Sequence, residues 1–195
     1  LRCDSDHHSL AIVRIGTPIA LTITAEAGIF GAAAFLMGNI GASQLAAHTV
    51  ALQIAALAFQ VPFGVGQAAT IRVGYFYGAR DADGMNRAGW TAIVVGTGFM
   101  AFTALLMIAI PKPLIAIYVD PWDPKNAVLV GFALQYIVIA AAFQLFDGMQ
   151  AVAAGALRGL QDTRIPMWIA AFAYWVPGIG TALALGFYTP LEGVG

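Results

Sequence analysis

Five long runs of apolar residues, each with almost no charge, constrain this chain more than any other feature. A helix needs about 20 mostly apolar residues to cross a bilayer. The predicted spans are residues 15–40, 45–71, 90–110, 127–157 and 165–187. Because these runs are apolar on every face, they lack the polar outer surface of a helix in a soluble protein. The sequence therefore predicts an all-α integral membrane protein.

Composition supports the same fold class and excludes several functions. Of the 195 residues 60% are apolar and 10% are charged, whereas soluble domains carry about 25% charged residues. A net charge of -1 provides no basic surface for nucleic acid. The single cysteine, Cys3, excludes a disulfide within this chain. No nucleotide-binding motif, metal-ligand spacing or catalytic triad stands out, so neither an enzyme nor a cofactor is predicted.

The basic residues predict the orientation. Five spans alternate the two sides of the membrane, and seven arginines fall on one side: Arg2, Arg14, Arg72, Arg80, Arg87, Arg158 and Arg164. The other side has only Lys112 and Lys125. By the positive-inside rule the arginine side is cytoplasmic. We expect a multi-pass protein of the cytoplasmic (inner) membrane, with a cytoplasmic segment 1–13, a transmembrane lobe 14–188 and an external end 189–195.

Two features concern the extent of the chain and of its fourth run. The chain starts without Met and stops just after a hydrophobic run, so we interpret it as a fragment of a longer protein. The fourth run is too long for one direct crossing at a rise of about 1.5 Å per residue. It is expected to tilt, to break at Gly131 or Gly148, or to extend into water.

Two acidic residues, Glu26 and Asp147, lie inside apolar runs, whereas the other eight lie in links or termini. A charged side chain at the bilayer centre costs about 2.5 to 3.5 kcal/mol on insertion scales, and such residues usually mark an ion or proton path. Glu26 is twelve residues beyond Arg14, and Asp147 is eleven before Arg158. These spacings correspond to about 18 Å and about 16 Å of helix, near the middle of a bilayer.

Two carboxylates at one depth on different helices could face one cavity, hold a cation such as Na⁺ transiently, or share a proton. We therefore predict Glu26 and Asp147 as the residues that couple a cation or proton to transport. The alternative is that each is a hydrogen-bonded acid that holds helices together.

Other polar and aromatic residues give weaker signals. Gln53, Gln60 and Gln67 recur every seven residues, so they share one helix face and could line an aqueous path. Interhelical hydrogen bonding explains them equally well. His48 could titrate near neutral pH, but it is most simply a packed, hydrogen-bonded histidine. The predicted cavity-lining residues are Phe30, Gln53, Phe59, Phe143, Gln144 and Gln150.

Several motifs in combination point to a known family. They are the membrane glutamate in EAGIFGAAAF, the segment LAAH, the segment PFGVGQAATIRVGYFYGA, and FDGMQ followed by GALRGLQDT. From about residue 14 to residue 186 the chain resembles the C-terminal lobe of multidrug and toxic compound extrusion (MATE) transporters of the NorM type.

The resemblance implies twelve helices in two six-helix lobes, of which the five spans are helices seven to eleven. It implies export of cationic or amphipathic drugs in exchange for Na⁺ or H⁺, with Glu26 and Asp147 as coupling acids. The implied partners are the bilayer, organic cations and the missing N-terminal lobe. Two positions depart from the pattern: Thr49 stands where members often have glutamine, and Phe143 where some have tyrosine.

Two other functions remain open from the sequence. A flippase for lipid-linked precursors could use a similar helix count, but it should have a cationic central cavity, and no Lys or Arg lies inside a predicted span. A channel or a membrane scaffold without transport activity is the second alternative. Dependence of flux on an ion gradient would distinguish a secondary transporter from both.

Overall fold

The computed structural model describes the backbone of residues 2–173 and 175–176 and the side chains of residues 13–14, 16–172 and 175–176. This part of the chain is helical and contains no β-strand. It contains six α-helices: α1 (Arg2–Ile40), α2 (Ala42–Gly78), α3 (Ala82–Ala109), α4 (Pro111–Ile115), α5 (Ala127–Gly159) and α6 (Arg164–Ala173). A short 3-10 helix (Pro124–Asn126) directly precedes α5.

Within the described residues, four segments are long and apolar enough to cross a bilayer: Gly16–Ile40, Ala42–Gly78, Ala82–Ala109 and Pro124–Gly159. They coincide with the first four predicted spans, which confirms the all-α membrane fold. Helix α6 begins where the fifth predicted span begins. The remainder of that span and the predicted external end lie outside the described residues.

The predicted boundaries between the second and third spans were wrong. Helix α2 continues seven residues beyond the predicted end at residue 71, and α3 begins eight residues before the predicted start at residue 90. Hydropathy ended both spans at arginines, but arginine is a good helix former and its long side chain can carry the charge out to the membrane interface. Arg72 and Arg87 therefore lie on the helices, just outside the predicted spans.

Helix α5 is continuous, with no break at Gly131 or Gly148. Its 33 residues span about 50 Å at the standard rise, which exceeds the roughly 30 Å hydrocarbon core, so the helix must tilt or extend beyond it. Gly148 packs against Met100 of α3: a Cβ added there would lie 2.5 Å from the Met100 side chain. The glycine permits a close approach between helices rather than a kink.

A tight turn joins α2 to α3. Arg80 has a positive φ of 56°, and the amide of Asp81 donates to the carbonyl of Phe76 at 3.0 Å. The Asp81 carboxylate then accepts a hydrogen bond from the amide of Gly84 at 2.9 Å and so caps the start of α3. This short connection makes α2 and α3 antiparallel neighbours.

Small residues bring α2 and α5 into backbone contact. Gly66, Thr70 and Gly74 recur every four residues on α2, and they face Ala151, Gly155 and Gly159 on α5. A Cβ on Gly155 would collide with the backbone of Gly66. The Thr70 hydroxyl lies 3.0 Å from the Gly66 carbonyl and 2.7 Å from the Gly155 carbonyl, so it can donate across the interface. Such contacts are the usual means by which membrane helices associate.

Helices α2, α3 and α5 form one packed core, and α1 lies beside it. The largest buried cluster draws on all three helices and on α4: Ala47, Val50, Ile54, Ala104, Met107, Ile115, Val130 and Ile137. In the most apolar window of α1 only 6% of the residues are buried, compared with 33% in the segment that contains α5. Helix α1 is therefore the least packed of the four candidate spans.

Candidate functional site

The inward face of α1 carries Glu26. Pro18 and Thr22 are buried, Glu26 and Phe30 are half-buried, and the four residues follow one another at intervals of four. Residues four apart lie on one face of a helix. The Thr22 hydroxyl donates to the carbonyl of Pro18 at 2.9 Å. Of these four residues, only Glu26 has an ionisable side chain.

Helix α5 presents Asp147 to α1. The rings of Phe30 and Phe143 meet edge to face, with their centroids 6.3 Å apart. Phe30 is four residues after Glu26, and Phe143 is four residues before Asp147. The aromatic pair therefore brings the two carboxylates to the same part of the interface between α1 and α5.

The charges confirm this proximity. The carboxylate of Asp147 lies within electrostatic reach of Glu26, and Glu26 also lies within reach of Arg158 on the last turn of α5. Glu26 precedes Phe30 on α1, whereas Asp147 and Arg158 follow Phe143 on α5. Because Glu26 lies near these later residues of α5, the two helices run antiparallel. Both carboxylates lie one turn away from the aromatic pair, on its same side, as the equal depths predicted from the sequence require.

Arg158 is the residue of this site that sequence reasoning missed. In the sequence Arg158 served only to indicate the orientation and the depth of Asp147, and nothing related it to Glu26 on another helix. Asp147 and Arg158 lie about 16 Å apart along α5. Spacing along one helix therefore does not show that Glu26 interacts electrostatically with both residues. Among the described side chains, neither carboxylate makes an ion pair within 4.0 Å.

The structure divides the predicted cavity-lining residues into two groups. Gln144 packs inside the lobe: it is 2% exposed, and its amide nitrogen lies 3.2 Å from the Thr103 hydroxyl and 3.4 Å from the Met100 carbonyl. A cavity-lining role does not fit this position. The others keep accessible surface: Phe30 and Phe59 are half-buried, and Gln53, Phe143 and Gln150 are exposed.

The three glutamines of α2 lie on its exposed face. Gln53, Gln60 and Gln67 are all exposed, whereas the face that carries Gly66 and Thr70 packs on α5. Interhelical hydrogen bonding inside the core therefore does not account for them. His48 is half-buried beside Tyr136, with ring centroids 6.4 Å apart, as expected for a packed histidine. Its buried Nε2 has no hydrogen-bond partner among the described residues, so the expected hydrogen bond is not found.

Comparison with known proteins decides the family. The MatE family model matches residues 18–183, which is most of the chain. The chain belongs to the MatE family. The resemblance found in the sequence motifs is thereby confirmed.

Several curated relatives of this MatE chain carry related names. A "Probable multidrug resistance protein NorM" from Mesorhizobium japonicum is 49% identical over 184 residues, which cover 94% of this chain and 39% of the relative. The protein of the same name from Brucella suis is 49% identical over 182 residues, 93% of this chain and 39% of the relative. "Multidrug resistance protein NorM" from Burkholderia vietnamiensis is 44% identical over 180 residues, 92% of this chain and 39% of the relative. The chain spans about two fifths of the length of these relatives.

Both departures from the MatE pattern have a local structural setting. The Thr49 hydroxyl donates to the Leu45 carbonyl of its own helix at 2.8 Å. Phe143 uses its ring to contact Phe30. Tyrosine at position 143 could make the same contact and add a hydroxyl one turn from Asp147.

Proposed function

We propose that the full-length protein exports cationic or amphipathic compounds in exchange for Na⁺ or H⁺, and that Glu26 and Asp147 bind the coupling ion. One observation carries the proposal: the contact between Phe30 and Phe143 places two carboxylates of different apolar helices, Glu26 and Asp147, each one turn from the same aromatic pair. Charges in a low-dielectric interior are costly unless they are compensated. A pair of acids in this setting is suited to take up and release a cation or a proton.

The coupling mechanism follows from the repulsion between the two acids. With both carboxylates ionised, α1 and α5 repel each other at Glu26 and Asp147, and Arg158 offsets part of that repulsion. A Na⁺ ion between the carboxylates, or a proton on one of them, removes the repulsion and favours closer packing of α1. An ion can shift a conformational equilibrium only if it binds one state more tightly. The loosely packed α1 is the helix whose position the ion would bias.

Export then proceeds by alternating access between two lobes. The ion enters from outside and changes the packing of this lobe, and the affinity for the compound falls because the two occupancies are coupled. Phe30, Phe59 and Phe143 supply aromatic faces for an organic cation. Gln53, Gln60 and Gln67 supply a polar surface toward the other lobe of the same protein.

The proposed setting is the cytoplasmic membrane, with the N-terminal side of the chain in the cytoplasm. The excess of arginine on that side supports this orientation. The names of the NorM relatives support multidrug export, because each is described as a multidrug resistance protein or a probable one.

A vesicle assay tests the function. The full-length protein is reconstituted in sealed vesicles, and ethidium export is followed under a Na⁺ gradient and then under a proton gradient. We expect one gradient to drive export, and Glu26→Gln and Asp147→Asn each to reduce it severely while leaving measurable residual export. Asp83→Asn is the matched control, because Asp83 is exposed in the first turn of α3.

Two outcomes would contradict the proposal. Export that both neutral variants retain would remove the two acids from coupling. Absence of gradient-dependent export by the wild-type protein would favour the flippase, the channel or the scaffold.

A further inference from the structure

A cleft of about 570 Å³ lies between α2 and α3, close to the turn that joins them. This volume falls within the range of about 300 to 1,000 Å³ that is usual for small-molecule sites. The cleft is separate from the carboxylate site, which lies between α1 and α5. It is also on a different face of α2 from the glutamines, because Arg72 is five residues after Gln67, or about 140° around the helix.

Two arginines line the cleft from opposite walls. Arg72 projects from α2 and Arg87 from α3. Arg72 is six residues before the end of α2, and Arg87 is five residues after the start of α3, so both lie about 8 to 9 Å from the turn along their helices. The guanidinium of Arg72 lies over the ring of Phe76, 5.2 Å from its centroid, which restrains its position.

Neither arginine is neutralised by an acid in the part of the chain that the structure describes: no carboxylate there forms an ion pair with Arg72 or Arg87 within 4.0 Å. The nearest acidic residue in sequence on the α3 side is Asp83, which is exposed in the first turn. Asp81 uses its carboxylate to cap α3 at Gly84. The cleft therefore combines two positive charges with the hydroxyl of Thr91, one turn beyond Arg87.

The lining becomes apolar with distance from the turn. Beyond the arginines the cleft is lined by Ala92 and Val95 on α3 and by Val65 on α2. The surface around that end is apolar and exposed as well: Trp90, Val94 and Val95 are each more than half exposed. The cleft is thus charged near the turn and apolar farther along the two helices.

This gradient matches one class of ligand. A free anion would use only the charged end, whereas a phospholipid places a phosphate at the interface and acyl chains below it. Guanidinium groups bind phosphate oxygens through paired, charge-assisted hydrogen bonds. Basic pockets between membrane helices are a known form of anionic lipid site. The geometry points to a binding site for an anionic phospholipid, with its phosphate on Arg72 and Arg87 and an acyl chain along Val65 and Val95.

The test measures retained lipid on the purified full-length protein by native mass spectrometry. The protein is equilibrated with phosphatidylglycerol or with phosphatidylcholine. We expect selective retention of phosphatidylglycerol, and a loss of roughly tenfold or more in its affinity in the double variant Arg72→Gln/Arg87→Gln, which removes two charge-assisted contacts. Arg164→Gln is the matched control: it removes one charge from an exposed arginine outside the cleft, and it should leave retention unchanged.

A second variant keeps the charges and fills the space. Ala88 lines the cleft, and Ala88→Leu should reduce retention of phosphatidylglycerol while both arginines remain. This variant also tests the site if the double arginine variant fails to fold.

Three results would overturn the proposal. They are full retention in the double arginine variant, full retention in Ala88→Leu, and displacement of the lipid by inorganic phosphate at millimolar concentration. The last result would identify a site for free anions.

Discussion

The packed core of α2, α3 and α5 and the neighbouring helix α1 are built in different ways. The core relies on glycines that permit close approach: the backbones of Gly66 and Gly155 meet, and Gly148 lies against the side chain of Met100. Helix α1 packs on α2 and α6 and meets α5 through two aromatic side chains, Phe30 and Phe143, but few of its residues are buried. Backbone contact between small residues fixes the distance between helices, whereas contact through long side chains tolerates displacement. In the proposed transport cycle, the loosely packed helix α1 is accordingly the part expected to move.

The residues of the proposed coupling site are divided between α1 and the core. Glu26 lies on the loosely packed helix, and Asp147 and Arg158 lie on a helix of the core. A coupling ion bound between the acids would therefore join the mobile part to the rigid part. The predictions below test whether the two regions differ in this way, first in the core and then at α1.

The largest effect is expected at Gly155. Gly155→Ala places a Cβ against the backbone of Gly66, which cannot move aside as a side chain can, so we expect a loss of about 3 kcal/mol in stability. Thermal unfolding of the purified full-length protein, followed by tryptophan fluorescence, measures it. Gly131→Ala on the same helix is the control, because a Cβ there meets nothing within 4 Å. Equal melting temperatures in the two variants would show that α2 and α5 are not in backbone contact.

A smaller loss is expected at Gln144. Gln144→Ala removes a buried side chain and its donation to Thr103 and Met100, at a cost of about 2 kcal/mol. Gln60→Ala removes an exposed glutamine from α2 and should change unfolding by less than about 0.5 kcal/mol. If Gln60→Ala lowered the stability more than Gln144→Ala, Gln144 would not be a packing residue of the core.

Thr70 should contribute less again. Thr70→Val removes a hydroxyl that can donate to Gly155 across the interface between α2 and α5, and bonds of this kind in membranes are worth about 1 kcal/mol. Thr49→Val is matched, since the Thr49 hydroxyl bonds only within its own helix. The same unfolding measurement should separate the two valine variants; coincident curves would mean that the bond to Gly155 contributes nothing.

The smallest effect on stability is expected at α1. Phe30→Leu removes the edge-to-face contact with Phe143 from a helix that contributes little to the core. Because Phe143 is 44% exposed, we expect a loss of about 0.5 kcal/mol, the low end for aromatic pairs. Ion-driven ethidium export should nevertheless fall, because the contact aligns Glu26 with Asp147. A large drop in melting temperature would place α1 in the core and erase the distinction between the two regions.

The sequence predicted what depends on hydropathy and on the cost of buried charge. The first four spans and the two membrane acids were identified because apolar runs are long and acids within them are rare. Arg72 and Arg87 were assigned to a link because hydropathy cannot show where a helix ends once charged residues begin. The burial of Gln144 and the proximity of Arg158 to Glu26 could not be predicted for another reason: helical spacing relates residues of one helix, and only the packing shows which neighbouring helix a side chain faces.

A double-mutant cycle on gradient-driven ethidium export tests the central claim most directly, namely that Glu26 and Asp147 form one ion-binding site. The cycle compares Glu26→Gln, Asp147→Asn and the double variant with the wild-type protein in the same sealed vesicles. If the two acids act as a unit, the double variant will lose no more export than either single variant, because one substitution already destroys the site. Independent losses that multiply in the double variant would contradict a shared site.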